Sequence, residues 1–160
     1  MTIDRIEYHW DSVEGLFEDD DTQWEIAGAH IGYYIEWAYK KGFTPMEEDN
    51  ENEGALEVVI GDVSGIEYLI EYCDTKFLDS DLSPEGLAFT TFVYDTYLTD
   101  YEKIIGCKPF TQLYNPQHLE KVSLYLDKAY TQYLKKPVYQ EEEKTVEILS
   151  ILMWLKGLFK

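Results

Sequence analysis

The chain has 160 residues, 45% apolar and 16% aromatic, with 32 acidic against 13 basic side chains and a formal charge of −19. That length and apolar content suit one folded domain with a sizeable core and exclude general disorder. The charge excludes nucleic acid and anionic membrane surfaces as partners, and favours basic protein surfaces or cations.

Residues 3–17 alternate loosely between apolar and polar, which reads as a short strand or as an irregular arm laid on the core. An acidic run, Glu18 to Asp21, precedes a helix predicted over 23–41, with Asp21 or Thr22 as its N-cap. In that helix Trp24, Ala27, Ile31, Tyr34 or Ile35, and Ala38 make one apolar stripe, with Ile26, His30, Tyr33 and Trp37 beside it. Ala29 and Gly32 lie on the remaining face and admit another backbone, so the helix is expected to be covered on most sides. Lys40-Lys41-Gly42 suits its last turn and a left-handed cap. Residues 46–54, MEEDNENEG, form a second acidic stretch without periodicity and read as a solvated loop.

Two short helices are expected in ALEVVIGDVSGIEYLIEYC, broken by Gly61 and Gly65 and capped by Ser64, although LEVVI also suits a strand. DTKFLDSDLSPEG reads as a loop ending with Ser83 as N-cap and Pro84 at the first helical position. Helices follow at 84–94 and 96–105, closed by Gly106, and another runs from Pro116 to Lys136 with Asn115 as its cap. A last helix is expected in 141–160; its stretch Ile148–Leu155 is apolar at seven of eight positions and must be packed on the domain or on another chain. The fold class is therefore mainly α: a single-domain bundle of six to seven helices with a short N-terminal strand or arm. An acidic helical domain is expected over 1–136 and an apolar C-terminal helix over 137–160, the latter offering a homodimer contact through 141–160.

Few patterns carry chemistry. Asp74, Asp79, Asp81 and Glu85 offer four oxygen donors, but not at the spacing of a helix–loop–helix calcium site. His9, His30 and His118 share no zinc-ligand spacing with each other or with Cys73 and Cys107, so no metal and no cofactor is expected. No G-x-S-x-G or phosphate-binding Gly loop is present, Cys73 ends an apolar stripe as an inert thiol does, and His30 reads as a core histidine hydrogen-bonded by a neighbour. The chain is read as a binding protein and not an enzyme. Two cysteines suit a reducing compartment, and neither a secretory signal nor a run of roughly 18–20 apolar residues occurs, so a cytoplasmic setting is expected.

Four blocks point to a family. His30-Ile31-Gly32-Tyr33-Tyr34-Ile35-Glu36-Trp37-Ala38 resembles the H-x-G-x-[FY]-x-x-W-A block of small bacterial proteins carrying a domain of unknown function. Tyr72-Cys73-Asp74-Thr75-Lys76, Asp81-Leu82-Ser83-Pro84-Glu85-Gly86-Leu87-Ala88-Phe89 and Tyr97-Leu98-Thr99-Asp100-Tyr101 are similar to its later blocks, and the resemblance covers about residues 6–136. It implies a mostly helical fold and a bacterial setting without an established activity, and an association with polymorphic toxins as immunity proteins. From the residues themselves, His30, Trp37, Asp74, Lys76, Asp81 and Asp100 are expected to form a polar network around the core, with Trp37 and Phe89 beneath it.

Charge supplies the functional expectation. Residues 1–100 hold 25 acidic and 4 basic side chains, whereas 101–160 hold 7 and 9. An acidic inhibitor mimics the phosphates that a basic active cleft must bind, and so gains a steered association rate. The expected role is an immunity protein that neutralises a cognate toxin such as a basic nuclease domain, with Asp19, Asp20, Asp21, Glu47, Glu48, Asp49, Glu51 and Glu53 as partner-binding residues. The alternative is a structural homo-oligomer assembled through the last helix.

Overall fold

The computed structural model describes residues 1–45 and 53–135. Strand β1 (Thr2–Arg5) leads into a 3-10 helix over Ile6–Ser12, then helices α1 (Asp20–Lys40), α2 (Glu53–Ile60) and α3 (Gly65–Glu71). Strand β2 (Lys76–Leu78) and a 3-10 turn at Asp79–Asp81 precede α4 (Pro84–Ile105) and α5 (Pro116–Tyr133). The fold is mainly α, with one small sheet among the described residues. Two compact units are distinguished, Met1–Asp127 and Lys128–Lys160. Of the second, residues 128–135 are described, and they are the end of α5 and two residues beyond it. The predicted break after 136 and the helix over 141–160 lie outside the described residues.

α1 is the centre of the first unit, and every residue from Ile26 to Tyr39 is buried. Its start lies earlier than predicted. Asp19, not Asp21 or Thr22, is the N-cap, its side chain accepting the Thr22 amide at 2.7 Å. Burial on all sides requires close neighbours, and the small residues supply them. A Cβ on Gly32 would stand 2.6 Å from the backbone nitrogen of Ile66, and one on Gly65 would stand 2.0 Å from the Gly32 carbonyl oxygen. α1 and α3 therefore touch backbone to backbone. Ser64 caps α3 with a reciprocal Glu67 contact, as its sequence position suggests.

Aromatic rings fill the rest of this core. Trp37 packs on Phe89 and Phe43 at 5.4 and 5.7 Å between centroids, and Tyr34 meets Tyr94 edge-on at 4.9 Å. The buried Tyr34 hydroxyl donates to Thr90 Oγ1 at 2.9 Å.

Three local predictions need correction. DTKFLDSDLSPEG is not all loop: Lys76–Leu78 pairs antiparallel with β1, Asp4 opposite Phe77 and Arg5 opposite Lys76. The helices predicted at 84–94 and 96–105 are one, because nothing between them breaks a helix. Asp95 stays exposed with its carbonyl accepting Thr99 Oγ1 at 2.8 Å, while Phe89, Val93, Tyr97 and Tyr101 continue one buried face. The N-terminal arm is a strand followed by a 3-10 helix. Ser83, Gly106 and Asn115 act as the sequence suggests: two N-caps around one left-handed C-cap.

Candidate functional site

The acidic run before α1 is divided by the fold. Asp19 serves the helix cap, and its carboxyl is lowered by the Thr22 backbone amide it accepts. Asp20 accepts from Gln23 Nε2 at 3.0 Å. Asp21 is exposed on the rim of a cleft of about 660 Å³ between the first turns of α1, α3 and the loop before α5. Glu47, Glu48, Asp49 and Glu51 lie outside the described residues, and Glu53 is the first residue of α2.

That cleft has an apolar floor and an acidic rim. Trp24, Ile70 and Leu113 line it, with Ile70 and Leu113 exposed. Asp21, Glu25 and Glu67 carry its charge, and among the described residues no basic side chain lines it. Two of the acids are fixed by the backbone: Glu25 Oε1 accepts the Tyr114 amide at 3.0 Å, and Glu67 Oε2 accepts the Ser64 amide at 2.8 Å. Ser64 also holds the Glu67 carboxyl below its ordinary range. The rim is thus negative and held in place. Apolar surface between fixed carboxylates accommodates a cation carried on an apolar stem, as in Lys or Arg, and the Trp24 face adds a cation–π contribution. Charge runs along the chain do not single out Glu25 and Glu67, since the two are brought together only by the packing of α1 against α3.

The expected polar network around the core does not form as one unit. Asp74 pairs with Lys76 in an exposed turn, Asp81 accepts the Leu78 amide at 2.7 Å, and Asp100 pairs with Lys103 at 2.7 Å on α4. These are separate contacts, and Asp100 accepts the Tyr125 hydroxyl of α5 at 3.5 Å in addition. Trp37 does reach a carboxylate, its Nε1 donating to Asp127 at 3.3 Å. Cys73 behaves as an inert thiol, since burial pushes it up to about 12.

His30 is a core histidine with a neighbour at hydrogen-bond distance, as expected, but it sits in a cluster that the sequence does not announce. It is buried, and its Nε2 faces His9 Nε2 at 3.2 Å and Asp4 Oδ2 at 3.5 Å. His9 Nε2 in turn lies 2.9 Å from Asp4 Oδ1. β1 supplies Asp4, the 3-10 helix His9, and the middle of α1 His30. Spacings of five and 21 residues hide this cluster from any local motif. Asp4 also accepts the Tyr94 hydroxyl on Oδ2 at 3.0 Å and the Arg5 amide on Oδ1 at 2.8 Å. Burial alone would raise the Asp4 carboxyl, but the hydrogen bonds from His30 and His9 outweigh it and hold the group ionised. Burial lowers the His30 imidazole and keeps it neutral. Its Nδ1 has no partner at hydrogen-bond geometry, the Ala27 carbonyl one turn back giving weak support.

A family model described as a domain of unknown function (DUF7832) matches residues 2–116. The chain belongs to that family. The match takes in Asp4, His9 and His30, all the residues of the cleft, and the four sequence blocks. It ends at the first residue of α5, so the DUF7832 region is shorter at its carboxyl end than the resemblance to residue 136 suggested. Comparison with curated proteins and with solved structures finds no match. No helix among the described residues is long and apolar enough to cross a membrane.

Proposed function

We propose that this DUF7832 protein is an acidic binding protein that neutralises a basic protein partner, as an immunity protein does its cognate bacterial toxin. The observation that carries the reading is the cleft whose apolar floor is rimmed by Asp21, Glu25 and Glu67 with no basic lining residue among the described ones. A partner's Lys or Arg side chain enters with its stem on Trp24 and its charge among the three carboxylates. The wider excess of acid over the first hundred residues steers the approach. The toxin's basic active surface, built to bind phosphates, is the complement of such a face.

The test begins with the neighbouring reading frames: where one encodes a large secreted protein with a basic carboxyl-terminal domain, that domain is co-expressed with this chain. Growth rescue and a purified complex whose association rate falls steeply with salt are expected. Asp21→Arg, an exposed change that leaves the α1 cap intact, abolishes rescue. Rescue undiminished by Asp21→Arg, or no complex even at low salt, overturns the proposal.

A further inference from the structure

We propose that Asp4, His9 and His30 form the binding site of one divalent transition-metal ion of the zinc class. The three donors come from separate elements and converge: 2.9 Å from His9 Nε2 to Asp4 Oδ1, 3.2 Å between the two Nε2 atoms, and 3.5 Å from His30 Nε2 to Asp4 Oδ2. Ligand atoms around a tetrahedral ion bound at 2.0–2.1 Å lie roughly 3.3 Å apart, which is the spacing found here.

Protons satisfy this arrangement only in part. Each imidazole Nε2 carries one hydrogen or one lone pair, never both. If His9 Nε2 donates to Asp4, it has no lone pair for His30. If His30 carries its proton on Nδ1, the buried core offers that proton no partner of hydrogen-bond geometry. If His30 Nε2 is protonated instead, it reaches Asp4 Oδ2 only at 3.5 Å, with the His9 N–H 3.2 Å away and its own Nδ1 left without a donor. A single cation accepts all three lone pairs at once.

The surroundings suit an ion. Two imidazoles and one carboxylate are the mixed N/O set that zinc-class ions take, whereas calcium and magnesium prefer all-oxygen sites. Tyr94 and the Arg5 amide hold the carboxylate from outside, the kind of support that orients metal ligands. Phe110 stacks on His9 at 5.7 Å and meets His30 edge-on at 5.6 Å, closing one side with an apolar ring. It does so from a left-handed backbone, φ 58°, which is costly for a bulky residue. The His9 side chain is 20% exposed, which gives an ion its way in.

The experiment uses the untagged full chain, stripped with a chelator and titrated with Co²⁺ and Zn²⁺. Expected are one equivalent of Co²⁺ with visible d–d bands of a tetrahedral N/O site, and a Tm raised by roughly 5–10 °C at a hundredfold excess of Zn²⁺ over its Kd. His9→Gln, at a half-buried position, loses both effects, and His118→Gln loses neither. Because any substitution in the cluster can disturb the fold, long-range ¹H–¹⁵N spectra of the imidazoles in the unmutated chain provide the second readout. Zn²⁺ shifts Nε2 of His9 and His30 together. No cobalt bands, unshifted imidazoles, or a thiolate-to-cobalt band that disappears in His118→Gln and places the ion on Cys107 and His118 overturns the proposal.

Discussion

Replacing Gly65 by Ala tests the backbone contact on which the burial of α1 depends. The added Cβ would stand 2.0 Å from the Gly32 carbonyl oxygen and 2.9 Å from Glu36 Cβ. The oxygen belongs to the middle of a buried helix and cannot swing aside, so the start of α3 must retreat by roughly 1 Å or more. Overpacking of this kind costs about 1–3 kcal/mol. The retreat also stretches the bond from the Gly65 amide to the buried Glu36 Oε2, now 3.1 Å. Loss of a hydrogen bond to a charged group adds about 1.5–3 kcal/mol. The gain in helix propensity, under about 1 kcal/mol, does not offset this. A total near 3–5 kcal/mol lowers Tm by about 6–20 °C in a chain of this size. Thermal and urea unfolding followed by circular dichroism measure it, with Gly61→Ala as the control. Gly61 has φ +88° and open space around its Cβ position, so Ala there costs only the left-handed backbone, about 1–2 kcal/mol. If Gly65→Ala is no more destabilising than Gly61→Ala, the argument from close approach is wrong.

Glu36 is buried yet fully engaged, accepting from Gly65 N, Tyr114 OH at 3.0 Å and Lys40 Nζ at 2.6 Å. Glu36→Ala costs about 2–4 kcal/mol by chemical denaturation, because the buried Gly65 amide and the half-buried Tyr114 hydroxyl lose their acceptor; Lys40, 41% exposed, returns to water and adds little. Glu36→Gln costs less, since its amide oxygen still accepts. Ser64→Ala removes the side-chain half of the reciprocal cap of α3, leaving the bond from its amide to Glu67, and costs about 1 kcal/mol by the same assay. It also changes the acid limb of the stability curve. Ser64 holds the Glu67 carboxyl below its ordinary 4.5 in the folded chain, so this stabilisation is complete above pH 4.5 and drains as pH falls through the lower folded value. The Ser64 amide, the larger of the two causes, stays in the variant, so only the share due to the hydroxyl is lost and stability falls slightly less steeply below pH 4.5; a steeper fall refutes the assignment.

The legible parts of the sequence were those with local physics. The stripes of 23–41, the Ser64, Ser83 and Asn115 caps and the Gly106 stop act through neighbours within four residues, and Gly32 announced a close backbone by having no side chain. The illegible parts depend on partners far along the chain. Lys76–Leu78 is a strand only because β1 lies beside it, more than seventy residues away in sequence. The helices predicted at 84–94 and 96–105 divide at Asp95, although an exposed polar residue is what the outer face of a long helix carries. Trp24 was placed on an apolar stripe, but its part in a cleft depends on α3. Asp4 had no sequence signal at all: an acid in a four-residue strand is normally exposed. Its burial, with two histidines converging on it, follows from tertiary packing alone.

One rigid helix supports both proposed sites, and its geometry keeps them apart. At 3.6 residues per turn, Glu25 and His30 point roughly 140° apart around α1. The cleft opens on the side packed by α3, and the Asp4–His9–His30 cluster faces the amino-terminal strand and 3-10 helix. Because α1 is clamped along its length by Gly32, Gly65 and the aromatic layer, a charge reversal at Asp21 does not move His30. A site on an exposed helix would transmit such a change by shifting the helix; a buried one resists it, since displacing α1 disrupts the whole aromatic core. The two proposals therefore stand or fall separately. Loss of partner binding in Asp21→Arg with intact cobalt spectra supports a docking cleft independent of the ion. Loss of both in that one variant indicates instead that α1 shifts as a body, and the rigidity assigned to it here fails.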